Sequence, residues 1–499
     1  MTLLDRRAFL ARGAAGMVSV AAVERLVARS ALAKKEPDAA FGYGPPQRMA
    51  DQRGMEVLAL PAGFSYVTFG HIGSTMSDGN VTPLALDGMA AFAHPDDDRL
   101  VRLIRNHEDR NKPGVASVGG DPAAKYDPTG GGGTSTLDYD PAARSLVRDF
   151  ISLNGTTTNC AGGYGRKRRS WLTGEENVGG PAHTDPAKRF EKRHGYLFEV
   201  PLDRGPGELE KGVPLTQAGR FSHEAAATDQ RTGIVYETED PGSGRGAGFY
   251  RYIPDDPCDL TAGGRLQILG IRGKPQYDAR EGQTVGRKLP VRWIDIPEPD
   301  PEYVDDDDPR GTFQQGWRLG ATKFNRLEGC WYDKDDCSTY FVSTSGGDEK
   351  NGDVNPDGYR EGFGQVWEYR PHGRSGGLLI LHYESPGGEA LDSPDNMTVT
   401  PAGGLLLAED DASTAYKDTD PRAPGITDVN RLVGITPSGE SFIFAVNIFS
   451  GSEMAGVTFS PDGETLFVNI FGDSSGTPAE HAGEGMTCAI TGPWGDGPL

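Results

Sequence analysis

Hydrophobic positions along this chain come in short bursts. Apolar and β-branched runs at 100–104, 234–236, 405–407 and 465–470 are each preceded by a polar, turn-forming stretch. These stretches are Pro95-Asp96-Asp97-Asp98, Asp229-Gln230-Arg231-Thr232-Gly233, Thr400-Pro401-Ala402-Gly403-Gly404 and Ser460-Pro461-Asp462-Gly463, and Thr436-Pro437-Ser438-Gly439 is another. Pro, Asp and Gly supply the dihedrals a tight hairpin needs, so the pattern predicts many short antiparallel strands. Beyond the N-terminus no long stretch has a helical period. One short helix is expected over 186–193, with Asp185 as its cap and Pro186 in the first turn.

The strands repeat. Segments beginning near Asp87, Cys160, Glu224, Glu328, Asp395 and Glu453 each set a polar residue before a small-residue or β-rich run, then a turn, then a second strand. Three of these second strands end in an acid at one spacing: Cys160 to Glu175, Glu224 to Glu239 and Asp395 to Asp410 are each 15 residues. The fourth ends in Ser343-Thr344-Ser345 and the sixth in Asn469. Six similar hairpins predict an all-β, six-bladed β-propeller with loop insertions. In such a fold the matching acids meet at one end of a central channel.

Composition fits this reading. The 499 residues include 70 Gly and 36 Pro with only 36% hydrophobic residues, a turn-rich chain. The N-terminus is set apart. Arg6-Arg7 precede Ala8-Phe9-Leu10, a weakly apolar stretch at 13–23 and the small-residue site Ala31-Leu32-Ala33. This is the arrangement of a twin-arginine export signal, so residues 1–33 are expected to be removed and 34–499 to form one propeller domain in the periplasm or outside the cell. The twin-arginine export machinery is then a partner of the precursor. No other stretch is long and apolar enough to span a bilayer, and a monomer is expected. The formal charge of -22 opposes binding to nucleic acid or anionic lipid. Of the five cysteines, Cys330 and Cys337 flank a turn and are placed to close a hairpin disulfide, although folding in the reducing cytoplasm argues against it.

Converging carboxylates repel one another and are stable together only when protonated or bound to cations. Hard oxygen donors select calcium or magnesium, and a thiolate adds affinity for a transition metal. Glu175, Glu224, Glu239, Asp395 and Asp410 therefore predict calcium, and Cys160, alone among the cysteines at a repeat landmark, predicts iron or zinc. His107 and His223 lie near the proposed channel and are expected to be hydrogen-bonded strand histidines. Arg326, two residues before Glu328, shares a strand face with it. It is placed either to bind a phosphate oxygen or to neutralise acids. Nucleophile-elbow, Walker and His-Glu-x-x-His motifs are missing from the sequence.

Taken together, Asn159-Cys160-Ala161-Gly162-Gly163, Thr173-Gly174-Glu175-Glu176-Asn177, His223-Glu224-Ala225-Ala226, Arg326-Leu327-Glu328-Gly329, Asp392-Ser393-Pro394-Asp395-Asn396 and Phe459-Ser460-Pro461-Asp462-Gly463 resemble the PhoX-type secreted alkaline phosphatases, from about Asn106 to Trp494. The resemblance implies a six-bladed propeller with ferric iron and calcium at the channel mouth, acting on a small phosphoester. It implies that Cys160, Glu175, Glu224, Glu328, Asp395 and Asp410 are metal ligands, with the cysteine on iron, and that Arg326 holds the phosphoryl group. Leu327 stands where the family pattern often has Pro. Two other classes share parts of this pattern. A calcium-dependent propeller hydrolase for a lactone or phytate would use a carboxylate ring without a cysteine, and a non-catalytic propeller would bind a partner on its rim.

Overall fold

The computed structural model describes residues 42–242, 244–303, 308–373, 376–411 and 413–499. The predicted export signal lies outside them. Among the described residues the protein is all-β apart from short helical turns and one helix, Thr312–Arg318. No helix there is long and apolar enough to cross a membrane.

The sheets are antiparallel and stand in a propeller arrangement. Six hairpins carry the innermost strands: Leu86–Ala93 with Val101–His107, Asn159–Tyr164 with Ser170–Glu175, His223–Thr228 with Val235–Glu239, Leu327–Tyr332 with Thr339–Ser343, Pro394–Val399 with Leu405–Glu409, and Met454–Phe459 with Thr465–Ile470. The first strand of each packs against the first strand of the next, and the sixth returns to the first, so the ring closes. Separate blades do not follow one to one from the hydrogen bonding. The third and fourth hairpins lie at the two ends of one nine-stranded sheet, because Lys288–Asp295 pairs on both sides, with Asp259–Ile271 and with Gly376–Glu384.

Small residues make the ring tight. A Cβ at Gly163 would stand 1.6 Å from the carbonyl oxygen of Ala226 on the neighbouring inner strand, so only glycine permits that approach. Apolar faces of successive sheets pack between them, for example Leu406, Phe444, Leu466 and Ile490 in one cluster. The ends of the described chain close the ring: Ser65–Phe69 pairs with Met486–Thr491, and Leu58 with Asn447.

One expectation changes. The helix over 186–193 is one 3-10 turn, Pro186–Lys188, capped by Asp185, whose Oδ1 accepts from the Ala187 N–H at 2.9 Å. The chain leaves it at Arg189 to bury Phe190 against His194. All five cysteines are free thiols, Cys330 buried in its strand and Cys337 in the following turn.

Candidate metal centre

The inner strand of every hairpin carries a β-bulge near its start. In the second hairpin Asn159 pairs with Glu175 and the next pair is Gly162 with Thr173, so Cys160 and Ala161 oppose a single residue. The same irregularity leaves Asp87-Gly88, Glu224-Ala225, Glu328-Gly329, Asp395-Asn396 and Gly456-Val457 unpaired in the other five. A bulge breaks the alternation of faces and re-aims a side chain. Five of the six bulges thus begin with a metal-ligand type: Asp87, Cys160, Glu224, Glu328 and Asp395.

Neighbouring bulges lock together. A Cβ at Gly88 would lie 2.6 Å from Ala161 Cα, and one at Gly329 2.5 Å from the Asp395 carbonyl oxygen. Asn106 Nδ2 donates to the carbonyls of Cys160 and Ala161 at 2.9 and 2.8 Å. Asn469 Nδ2 donates to the Asp87 carbonyl at 2.6 Å, and the Gly456 N–H to Asn396 Oδ1 at 2.7 Å. Ala85, Thr158, Arg326 and Ser393, each immediately before an inner strand, take left-handed backbone with φ between 45° and 52°. Such conformations cost on the order of 1 kcal/mol or more for a non-glycine residue, and here they recur beside the ligand positions.

The donors form one connected set. Asp87, Glu108 and Cys160 have ligand atoms within 4.8 Å of one another, as do Cys160, Glu176 and Glu224, then Glu224, Glu328 and Asp395, then Asp395, Asp410 and Glu453. Both carboxylate oxygens of Asp87 and of Glu224 are buried without an N–H or hydroxyl donor, and Oε1 of Glu328 is buried with no hydrogen bond, only the Arg326 guanidinium nearby. Burial, then the neighbouring acids, pushes Asp87, Glu224 and Glu453 well above the usual carboxylate range. Burial and then Asp410 push Asp395 up to about 7. The Cys160 thiol is also raised, by burial first and then by Asp87, Glu224 and other acids. Ionised together, these groups require cations, and an oxygen-rich set with one sulfur fits hard ions beside a thiolate-binding transition metal.

Two arginines border the set. Arg326 gives Nε and Nη2 to Asp240 Oδ2 at 3.0 and 2.9 Å, and its Nη2 lies 3.2 Å from Glu328 Oε1. Burial lowers its pKa, but Asp240 and Glu328 outweigh that and keep it protonated. Arg110 gives Nε to Glu108 at 2.7 Å and lies 3.5 Å from Glu176.

Of the predicted site residues, the structure brings together Cys160, Glu224, Glu328, Asp395 and Asp410, with Arg326 at their edge. It does not bring Glu175 and Glu239 to them. Glu175 accepts from His194 Nδ1 at 2.6 Å and from the N–H groups of Gly195 and Thr157 at 2.9 and 3.1 Å. Glu239 accepts from Tyr250 Oη at 2.6 Å and the Gly248 N–H at 2.9 Å. The cause is hairpin length. Glu175 and Glu239 pair with Asn159 and His223, whereas Asp410 lies one residue past the matching pair, Pro394 with Glu409. The fifth hairpin is one residue shorter, so a common spacing of 15 selects different places, and the true equivalents of Asp410 are Glu176 and Asp240. Asp87 and Glu453 were visible as repeat landmarks, and Glu108 and Arg110 follow the first hairpin. His107 and His223 stay outside the set. His107 is held by the Leu84 carbonyl and Ser135 Oγ, both at 2.8 Å, and His223 stacks on Phe221.

A closed β-ring that gathers acids and a buried thiol into one connected set, with guanidinium groups beside them, has the features of a metal-binding propeller. Residues 133–473 match the family model for alkaline phosphatase PhoX, and the chain belongs to that family, whose members are secreted and metal-dependent. It is accordingly an alkaline phosphatase, a phosphoric monoester hydrolase, which removes the lactonase and non-catalytic readings. Among solved structures it is similar in fold to PhoX from Pseudomonas fluorescens in complex with vanadate, a transition-state analogue. The identity is 20% and the TM-score 0.65, over 91% of this chain and 98% of that one. A gluconolactonase from Xanthomonas campestris aligns at 11% identity and a TM-score of 0.36, over 92% and 99%. No curated protein matches in sequence.

Proposed function

We propose that the enzyme hydrolyses phosphate monoesters with calcium and ferric iron held by Asp87, Glu108, Cys160, Glu176, Glu224, Glu328, Asp395, Asp410 and Glu453. The buried carboxylate oxygens that lack a donor carry this reading. Bound there, the metals neutralise the phosphoryl oxygens and the charge that grows in the transition state. Cys160 is the soft donor and is assigned to iron. Arg326 is fixed from one side by Asp240, and its Nη1 has no protein acceptor among the described residues, so it is free to donate to a phosphoryl oxygen. Arg110, with a side chain 55% exposed, is the second cation at the mouth. Together they admit an anion to a strongly acidic protein.

The six hairpins are read as six blades, two of them joined through Lys288–Asp295 into the nine-stranded sheet. Residues 34–499 are proposed as one domain, acting as a monomer after twin-arginine export and cleavage near Ala33. Replacing Arg6 and Arg7 by Lys should leave unprocessed precursor in the cytoplasm; normal cleavage would exclude that route.

Elemental analysis of protein purified through its own export route, paired with an aryl phosphate assay, tests the metal assignment. Cys160→Ser replaces a soft ligand by a poorly ionised hydroxyl. It should lose iron, visible thiolate-to-iron absorption and most turnover while remaining folded, whereas Cys258→Ser and Cys488→Ser keep all three. Full iron content and rate in Cys160→Ser would leave a site made of carboxylates alone.

A further inference from the structure

The residue before Arg326 belongs to a buried polar network outside the metal donors. Asn325 is 1% exposed. Its Nδ2 donates to Ser345 Oγ at 2.8 Å and lies 3.4 Å from Glu361 Oε1, and its side-chain amide meets that of Asn355 at 2.9 Å. Its carbonyl accepts from the Ser343 hydroxyl. The next carbonyl, that of Arg326, accepts from the Thr344 N–H at 3.0 Å. Ser343, Thr344, Ser345, Asn355 and Glu361 are all buried.

Two of these partners come from a small hairpin, Lys350–Val354 with Arg360–Gly362, which is inserted after the second strand of the fourth hairpin. Asn355 stands in its turn and Glu361 in its second strand. The insertion is anchored on two sides. The Gly362 N–H donates to the Ser345 carbonyl at 2.9 Å. Asn351 Nδ2 donates to Ser413 Oγ at 3.3 Å, and Asp353 Oδ2 accepts from the Thr414 N–H at 2.7 Å. It therefore ties the Arg326 turn to the segment that follows Asp410 and Asp411.

Arg326 has left-handed backbone, with a φ of 45°, which a non-glycine residue keeps only where its surroundings over-determine it. Asp240 holds the guanidinium, but a salt bridge at the tip of a long side chain does not fix the backbone from which it hangs. The network does: Ser343 and Thr344 hold the main chain at Asn325 and Arg326, and the Asn325 amide keys it to Ser345 and Asn355. An apolar side chain at 325 would leave those buried partners one hydrogen bond short.

We propose that Asn325 is a positioning residue for the phosphatase reaction, holding the strained turn that sets where the Arg326 guanidinium meets the phosphoryl group; this rests on the reading that Arg326 binds that group. The test is a double-mutant cycle on the holoenzyme with Asn325→Ala, Arg326→Ala and the pair. It reads kcat and KM for an aryl phosphate, inhibition by inorganic phosphate, and calcium and iron per chain. Arg326→Ala should lower kcat/KM by about 100-fold or more. Asn325→Ala should lower it by about 10-fold to 100-fold, the scale of a small misplacement of a catalytic group, and should weaken phosphate inhibition with metal content equal to wild type. In the Arg326→Ala background the same change should cost no more than about twofold, because residues that act through one another are not additive. Ser345→Ala removes one hydroxyl and should show the same coupling with a smaller loss, which decides the matter if Asn325→Ala does not fold. An additive loss in the double variant, an unchanged rate in Asn325→Ala and Ser345→Ala, or loss of metal in step with turnover would overturn the proposal. Wild-type turnover in Arg326→Ala would instead overturn the role given to Arg326 itself.

Discussion

At the scale of single residues, adjacent acids do opposite work. Glu176 lies among the metal donors with a carboxyl raised well above its usual range by burial first, whereas Glu175 is saturated by His194 and backbone N–H groups. Glu176→Gln should therefore lower turnover by about 100-fold or more and reduce bound metal with little loss of stability. Glu175→Gln should cost on the order of 3 kcal/mol, the scale of breaking a buried pair, yet leave the metal content of the folded fraction intact; unfolding curves and elemental analysis separate the two. Burial would lower the pKa of His194, but Glu175 and Asp127 outweigh it and raise it to about 9. A group raised from about 6.5 stabilises the fold fully below that pH and loses the contribution as pH climbs through about 9. Wild type should thus lose on the order of 3 kcal/mol from this site between pH 6 and 10, and His194→Gln should show a flatter dependence in urea unfolding. Equal slopes would mean that His194 is neutral throughout. The residue types of the site were legible in the sequence. The choice between Glu175 and Glu176 was not, because it turns on one residue of hairpin length.

At the scale of elements, the hairpins were readable from turn chemistry and short β runs, since both are local. The bulges were not, because a bulge has no residue signature beyond a small neighbour, and it is the bulge that places Asp87, Cys160, Glu224, Glu328 and Asp395 in one connected set. The glycines were legible as a Gly-rich stretch, but their reason is the approach of another strand 60 residues on. Gly163 faces the Ala226 carbonyl so closely that any Cβ must move a backbone. Gly163→Ala should destabilise by about 2–3 kcal/mol, in the range of overpacked cores, and should lower activity by displacing the inner strands that carry Cys160 and Glu224. Paired measurements of melting temperature and turnover check this. A variant of wild-type stability would show that the ring tolerates expansion there.

At the scale of the whole molecule, the ring is closed in two ways. Around the circumference, Ser65–Phe69 completes the sheet of Met486–Thr491, a pairing between distant parts of the chain that no local pattern announces. The joining of two hairpins through Lys288–Asp295 was invisible for the same reason: the outer strand that links them follows a long connection. Across the axis, closure depends on charge. Five hairpins contribute bulge donors to the channel, and without cations these acids must stay protonated or repel one another. The metals are therefore expected to act as cross-braces as well as catalysts. An ion present at about 1,000 times its dissociation constant stabilises the folded state by about 4 kcal/mol, and a chain of this length shifts by about 1 °C per kcal/mol. Removing two or more ions with a calcium-selective chelator should lower the melting temperature by about 5–10 °C and abolish phosphatase activity, with both restored by calcium when iron has been retained. The loss should be smaller near pH 5 than at pH 8. Asp395, raised to about 7 in the metal-free ring, is protonated at the lower pH, and its repulsion is then relieved. A melting temperature unchanged after verified calcium removal would mean that the strand pairing alone closes the ring.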